Sequence, residues 1–381
     1  LQVHGRFGPP AAAPLLLNGA IIAAALGVSL ATGNATPHAR IVTIGSVAGA
    51  VVLAGVLQAV WLFWSLRKDV QWTWNRAEAV APLRRVLLAA GPMVLGIGVL
   101  QLNTFMDGMI ASYPTFFDTD RFLGWQYPLD TGAMAVLSFA QRLYQFPLGV
   151  FAISVATAIY PLLALQADDE SSFSDTLRRG LRLVLFIGLP ASVGLVLVRE
   201  PLTACVYQGG VFTSADTAQV GTVLLGYAVA IWAYSANQVL TRACYAKLDT
   251  RTPVRIAVRM VGLNFLLNIT LIWTPLGISG LAWSTAICAL LQFMLLLRAS
   301  SAHVRNPFDM AVARSAIRSL LLAVVMGIGV GLVMLWLEPG DSFLDHLMQI
   351  GLLVIVGTVI YGGGAKLLGM IIEYFRLHNL K

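Results

Sequence analysis

Long apolar runs separated by short polar stretches dominate the chain. A bilayer core of about 30 Å calls for roughly 20 apolar residues at about 1.5 Å each. Ten segments reach or approach that length: 11–32, 41–66, 86–111, 132–165, 183–199, 218–245, 254–274, 279–298, 315–337 and 346–368. The pattern predicts an all-α polytopic membrane protein with about ten transmembrane helices. Pro147 lies inside the fourth segment and Pro92 early in the third, and a proline that removes a backbone hydrogen bond predicts a bend at each. The connectors 67–85, 112–131, 166–182 and 200–217 read as loops or short surface helices. None is large enough to fold alone.

Composition narrows the class further. Of 381 residues, 58% are hydrophobic and 11% charged, against about 25% charged in an ordinary soluble domain. A coiled coil, a disordered chain and a soluble two-domain enzyme are excluded. The distribution of the 25 Lys and Arg residues then orients the spans. Arg40, Arg121 and Arg199 fall on one side, Arg142, Arg242 and Arg259 within spans, and the rest on the side that holds both chain ends. That alternation is the positive-inside pattern, which predicts a multi-pass protein with both ends in the cytoplasm. The net charge of +7 follows from topology and attraction to anionic lipid head groups; it does not point to nucleic acid.

Metal and hydrolytic chemistry find little support. Cys205, Cys244 and Cys288 are widely separated and form no C-x-x-C pair, so neither a zinc site nor a disulfide framework is indicated. The five histidines lie in or beside connectors without metal-ligand spacing. There is no H-E-x-x-H, G-x-S-x-G or Walker A pattern, and Gly96-Ile97-Gly98 lies inside a span with no strand before it. The chain opens at Leu1 with no basic segment ahead of the first apolar run, so a cleaved signal peptide is not indicated, and the true start of the protein is expected upstream.

Polar groups inside the spans carry the chemistry, because an ionisable side chain at a helix centre costs at least about 2.5–3.5 kcal/mol. Arg142 lies about ten residues, or ~15 Å, into its span, flanked by Gln141, Tyr144 and Gln145 near Pro147. Two readings stand: a cationic site facing a water-filled cavity, suited to a phosphate through the planar guanidinium, or a structural arginine paired within the bundle. Asp107 is the only acid well inside a span. Asn264 and Asn268 share a helix face one turn apart, and with Thr285 they fall near the depth of Asp107. One carboxylate with amide and hydroxyl oxygens suits a monovalent cation or a proton; the same groups also serve as interhelical hydrogen bonds.

Four stretches together resemble the MurJ/MviN family of lipid II flippases, within the multidrug/oligosaccharidyl-lipid/polysaccharide exporter superfamily. They are Phe139 to Val150 (FAQRLYQFPLGV, continuing to Ala158-Ile159-Tyr160-Pro161), Gly210 to Thr217 (GVFTSADT), Tyr245 to Val254 (YAKLDTRTPV), and Pro10 to Asn18 (PAAAPLLLN). Their order and spacing are similar to the family's along nearly the whole chain. The resemblance implies a fourteen-helix fold in which these ten spans are helices 5–14. Residues 1–66 would close the first lobe, 67–85 form a cytoplasmic linker, 86–299 build the second six-helix lobe, and 300–381 supply two additional helices and a tail.

On the same resemblance, Arg142 occupies the position that meets a lipid-linked pyrophosphate, with Gln141, Tyr144 and Gln145 around it. Gln141 stands where the family usually has Asp, and Gln145 where some members have Glu. Asp107, Asn264, Asn268 and Thr285 match helices that carry a cation site in some members, with Asn268 in place of an acid. The implied activity is alternating-access translocation of lipid II, or a related polyprenyl-pyrophosphate glycolipid, across the bacterial cytoplasmic membrane, with no cofactor beyond a coupling cation or proton. The alternatives are an exporter of another polyprenyl-linked glycan or a drug, and a membrane-embedded glycosyltransferase. The last would need an organised acid site, which Asp118, Asp120 and Asp130 do not form by any motif.

Overall fold

The structure, a computed structural model, describes residues 8–32, 37–67, 83, 98, 101–337, 340 and 342–370. Two compact units divide at residues 87 and 88. The first contains α1 (Gly8–Thr32) and α2 (Pro37–Leu66). Buried Ala13 and Ala54 let the two helices approach closely. Gln58 near the end of α2 donates 2.7 Å to the Ala13 carbonyl near the start of α1, so the pair is antiparallel.

The second unit holds the rest: α3 (101–111), α4 (Tyr113–Phe117), α5 (Ala133–Pro147), α6 (Ser154–Leu165), α7 (Glu170–Tyr207), α8 (Ser214–Ala228), α9 (Ile231–Ala246), α10 (Arg251–Leu271), α11 (Ser279–Ser300), α12 (Met310–Trp336) and α13 (Phe343–Leu367). Among the described residues seven helices are long and apolar enough to cross a membrane, α8 and α9 form an eighth, broken span, and α1 contributes the shorter apolar stretch Ala12–Val28. The segment expected over 86–111 is described mainly at its end, so Pro92 and most of the linker lie outside the described residues.

Three departures from the sequence expectations have physical causes. Pro147 ends α5, but a π-helical turn, Leu148–Ile153, absorbs the missing backbone bond and carries the chain directly into α6. The run expected as one span over 218–245 bends by 42° at residues 229–230. The break exposes backbone donors, and the Ser192 hydroxyl accepts one of them, Trp232 N, at 3.2 Å. Gly188 makes this fit: a Cβ there would stand 2.9 Å from Trp232 Cα. Finally, α7 runs for 38 residues through Pro190 and Pro201, absorbing much of the two connectors expected at 166–182 and 200–217. Asp169 caps its start by accepting from Ser171 N and Ser172 N. Hydrogen bonds from Ser172, then Ser171, hold this exposed carboxyl at about 2.

Two of the stretches that carry the family resemblance are architectural. In Gly210–Thr217, Gly210 takes a positive φ of 59°, and Thr213 and Asp216 form a reciprocal capping box at the start of α8. In Tyr245–Val254, Leu248 turns the chain with φ 59°, and Asp249 accepts from Thr252 N at 3.0 Å and lies 3.4 Å from His303 Nε2. The connector 112–131 holds a small antiparallel hairpin, Arg121–Phe122 against Trp125–Gln126, with Trp125 exposed at its edge.

The core of this unit is layered along the helices. One cluster gathers Leu137, Leu143, Leu224, Tyr227 and Leu281 from α5, α8 and α11. A second gathers Leu163, Leu177, Leu181, Leu240 and Leu296 from α6, α7, α9 and α11. Helices α12 and α13 dock on α7 through a third, which includes Met326 and Tyr361. Contact between α8 and α11 depends on Gly226, where a Cβ would stand 2.8 Å from Ala282 Cβ and 3.1 Å from Trp283 N. Gly226→Val is therefore expected to destabilise the fold by about 1–3 kcal/mol, read as a lower thermal midpoint in detergent. An unchanged midpoint would show that α11 yields freely at this contact.

Candidate functional site

Helix α5 divides its side chains sharply. Ala133, Val136, Leu137, Ala140 and Leu143 are buried, whereas Ala135, Arg142, Gln145 and Phe146 are exposed and Ser138 partly so. Ser138, Arg142 and Gln145 follow helical spacing and make a polar strip along the open side of a spanning helix. Tyr207, at the end of α7, lies within electrostatic reach of Arg142. Phe139, one turn before Arg142, packs on Tyr207 with ring centroids 4.7 Å apart. Side chains on a helix lean towards its N-terminus, so the guanidinium is carried towards that aromatic pair. Among the described residues Arg142 forms no ion pair.

Gln141 and Tyr144 point the other way. Gln141 Nε2 donates to the hydroxyl of Tyr227 on α8 at 3.1 Å. Tyr144 stacks on Tyr227 with centroids 4.5 Å apart and an interplanar angle of 18°, and meets Tyr234 of α9 at 5.7 Å. The four residues expected around a substrate phosphate therefore split. Arg142 and Gln145 line the open face, while Gln141 and Tyr144 anchor α5 to the interior.

The second expected group is gathered in one place. Asp107 on α3 is 2% exposed, and Asn264 and Asn268 on α10 are 3% and 0%. Asn268 Nδ2 donates to Asp107 Oδ1, and the Ser284 hydroxyl of α11 donates to Asn268 Oδ1. The amide of Asn264 has one end 3.0 Å from Asn103 Oδ1, 3.3 Å from Asp107 Oδ1 and 2.9 Å from Asn268 Nδ2. Its other end faces Ser284 Oγ and Thr285 Oγ1 at 3.3 Å each, and Thr285 N at 3.2 Å.

Both orientations of that amide leave a conflict. With nitrogen inward, Asn264 donates to Asn103 and Asp107 but faces the Asn268 nitrogen. With oxygen inward, it accepts from Asn268 but crowds the oxygens of Asp107 and Asn103. A positive charge among the three oxygens would remove the second conflict. The donors here are carboxylate and amide oxygens of Asp107, Asn103 and Asn264.

Three members of this arrangement were not anticipated from the sequence. Asn103 lies one turn before Asp107, and that i, i+4 spacing was a readable signal. Ser284 adjoins Thr285. Tyr227 gave no signal, because an aromatic in an apolar helix reads as core.

The family model described as "Lipid II flippase MurJ" matches residues 1–348. A probable lipid II flippase MurJ of Vibrio cholerae is 28% identical over 394 aligned residues, which cover 100% of this chain and 68% of that protein. Its counterpart in Haemophilus influenzae is 28% identical over 396, covering 100% and 71%. A solved structure, "Lipid II flippase MurJ, inward closed conformation", superposes with a TM-score of 0.72 at 22% identity over 98% of this chain and 70% of the other. That likeness shows a shared fold.

Proposed function

Because the chain belongs to the MurJ family of lipid II flippases, we propose that it moves lipid II across the bacterial cytoplasmic membrane, taking the lipid-linked pyrophosphate on the open face of α5. The observation that carries this reading is the strip Ser138, Arg142 and Gln145 on the exposed side of a spanning helix. A guanidinium turned to acyl chains is strongly disfavoured, so this face borders water. Arg142 supplies a two-pronged donor to phosphate oxygens, and Gln145 adds a neutral donor one turn on. By the resemblance, Gln141 replaces the family's usual Asp and Gln145 the Glu of some members, which leaves the site more cationic.

Asp107, Asn103, Asn264 and Asn268 form the proposed site of a coupling cation. Binding there would bias one of the two states between which the protein alternates, a population shift no larger than the cation's preference between them. Both chain ends lie in the cytoplasm on this reading, as the arginine and lysine distribution predicts.

The direct test uses the full-length protein in proteoliposomes loaded with fluorescent lipid II on one leaflet. Protein-dependent appearance of lipid II on the other leaflet is expected. Equal transfer of other polyprenyl-pyrophosphate glycans would instead support the broader exporter reading, and no transfer beyond that of empty liposomes contradicts both.

A further inference from the structure

Helix α10 carries two unlike faces. Asn264 and Asn268 are buried against α11 and α3, whereas Arg251, Arg255 and Arg259 are exposed. Arg255 and Asn264 are nine positions apart, and at about 100° per residue that sets them on opposite sides of the helix. The three arginines follow i, i+4 spacing and form a ladder about 12 Å tall. They make no ion pair among the described residues. Asp249, the acid just ahead of the helix, accepts from Thr252 N and lies against His303.

The ladder runs into an apolar continuation. Gly262, Leu266 and Ile269 prolong the same face and are exposed, so this side is basic where α10 begins and apolar beyond. That division matches a single lipid molecule, with phosphate at one end and a hydrocarbon chain at the other. Arg259 lies within a spanning helix, where a bare guanidinium against acyl chains is costly. Its side chain leans towards the helix N-terminus, which returns the charge towards head-group depth, where a phosphate diester can accept its planar pair of donors. Gly262 adds shape. A Cβ there would meet nothing within 4 Å, so packing within the fold does not call for glycine, and the missing side chain leaves a notch just past Arg259. Helix α12 supplies the contrast: Arg314 and Arg318 form a similar exposed pair, but exposed Leu321 fills the position three residues on.

We propose that this face of α10 binds an anionic phospholipid of the leaflet in which α10 begins. Arg255 and Arg259 hold the phosphate, Arg251 adds charge beside the head group, and an acyl chain lies in the Gly262 notch along Leu266 and Ile269. The charges select an anionic lipid over a zwitterionic one. The notch separates this site from the diffuse attraction that any juxtamembrane arginine exerts on head groups. The proposal requires neither the cation site nor Arg142.

Native mass spectrometry tests it on the full-length protein, titrated in detergent with phosphatidylglycerol, phosphatidylcholine or lipid II. Phosphatidylglycerol should fill its tightest site about tenfold or more strongly than phosphatidylcholine. Arg255→Gln combined with Arg259→Gln should weaken that binding about 30-fold. Gly262→Leu keeps every charge but fills the notch, and should cost about fourfold or more, the loss of at least one buried methylene. Arg314→Gln with Arg318→Gln should leave the site within about twofold. Equal weakening by the α12 pair, or no effect of Gly262→Leu, would reduce the ladder to diffuse attraction and overturn the site, as would phosphatidylcholine binding equally tightly. If loss of the α10 pair weakens lipid II and not phosphatidylglycerol, the face serves the substrate and the phospholipid assignment falls.

Discussion

Replacing Arg142 with alanine lowers lipid II transport by roughly 10- to 150-fold, the loss expected when a charged hydrogen-bonding partner worth about 1.5–3 kcal/mol is removed. The effect should fall on substrate handling and not on folding, because Arg142 is exposed and its side chain supports no buried cluster. Arg142→Lys retains the charge but loses the planar pair of donors, so an intermediate rate is expected. Measuring transport and thermal midpoint together separates the cases. A normal midpoint with slowed transport supports the assignment, and normal transport in Arg142→Ala removes Arg142 from the mechanism.

Asp107→Asn gives the second large effect. The substitution preserves shape but removes the only carboxylate among the oxygens of Asn103, Asn264 and Asn268. Losing one partner of a buried charge interaction costs on the order of 3–5 kcal/mol, so Na+ affinity should drop by about two to four orders of magnitude. Stabilisation by added Na+, which follows the ratio of cation concentration to Kd, should vanish from thermal melts. Asp107→Ala goes further: it removes the charged acceptor of the buried Asn268 amide, at a cost of about 1.5–3 kcal/mol in stability even without cation. Sodium-dependent stabilisation that survives in Asp107→Asn would place any cation elsewhere.

Much of the architecture was legible because lipid imposes a simple length rule. The spans over 254–274, 279–298, 315–337 and 346–368 correspond to α10 through α13 with small shifts at their ends. The break between α8 and α9 was not legible. It contains neither proline nor glycine, and what holds it open is Ser192 and Gly188 on a different helix. The length of α7 was hidden for another reason: its first turns are polar, and hydropathy alone separates them from the apolar span that they continue.

The candidate site was legible in its residues but not in its directions. Depth placed Asp107, Asn268 and Thr285 at one level, and the structure joins them laterally. Clustering along the sequence placed Gln141 and Tyr144 with Arg142, yet successive helical positions point 100° apart, and both turn inward to Tyr227. Adjacency in sequence was the misleading signal, and helical phase the informative one.

Accessibility along the open strip of α5 tests the central claim most directly. In full-length protein with Cys205, Cys244 and Cys288 replaced, Ser138→Cys leaves Arg142 in place and puts a thiol one turn away on the same face. It should react with a membrane-impermeant thiol reagent and be protected by lipid II, whereas Leu321→Cys on the apolar side of α12 should stay unreactive. A thiol at 138 that is as inert as the one at 321 would mean that this face meets acyl chains, in direct contradiction of a wet, phosphate-binding surface around Arg142.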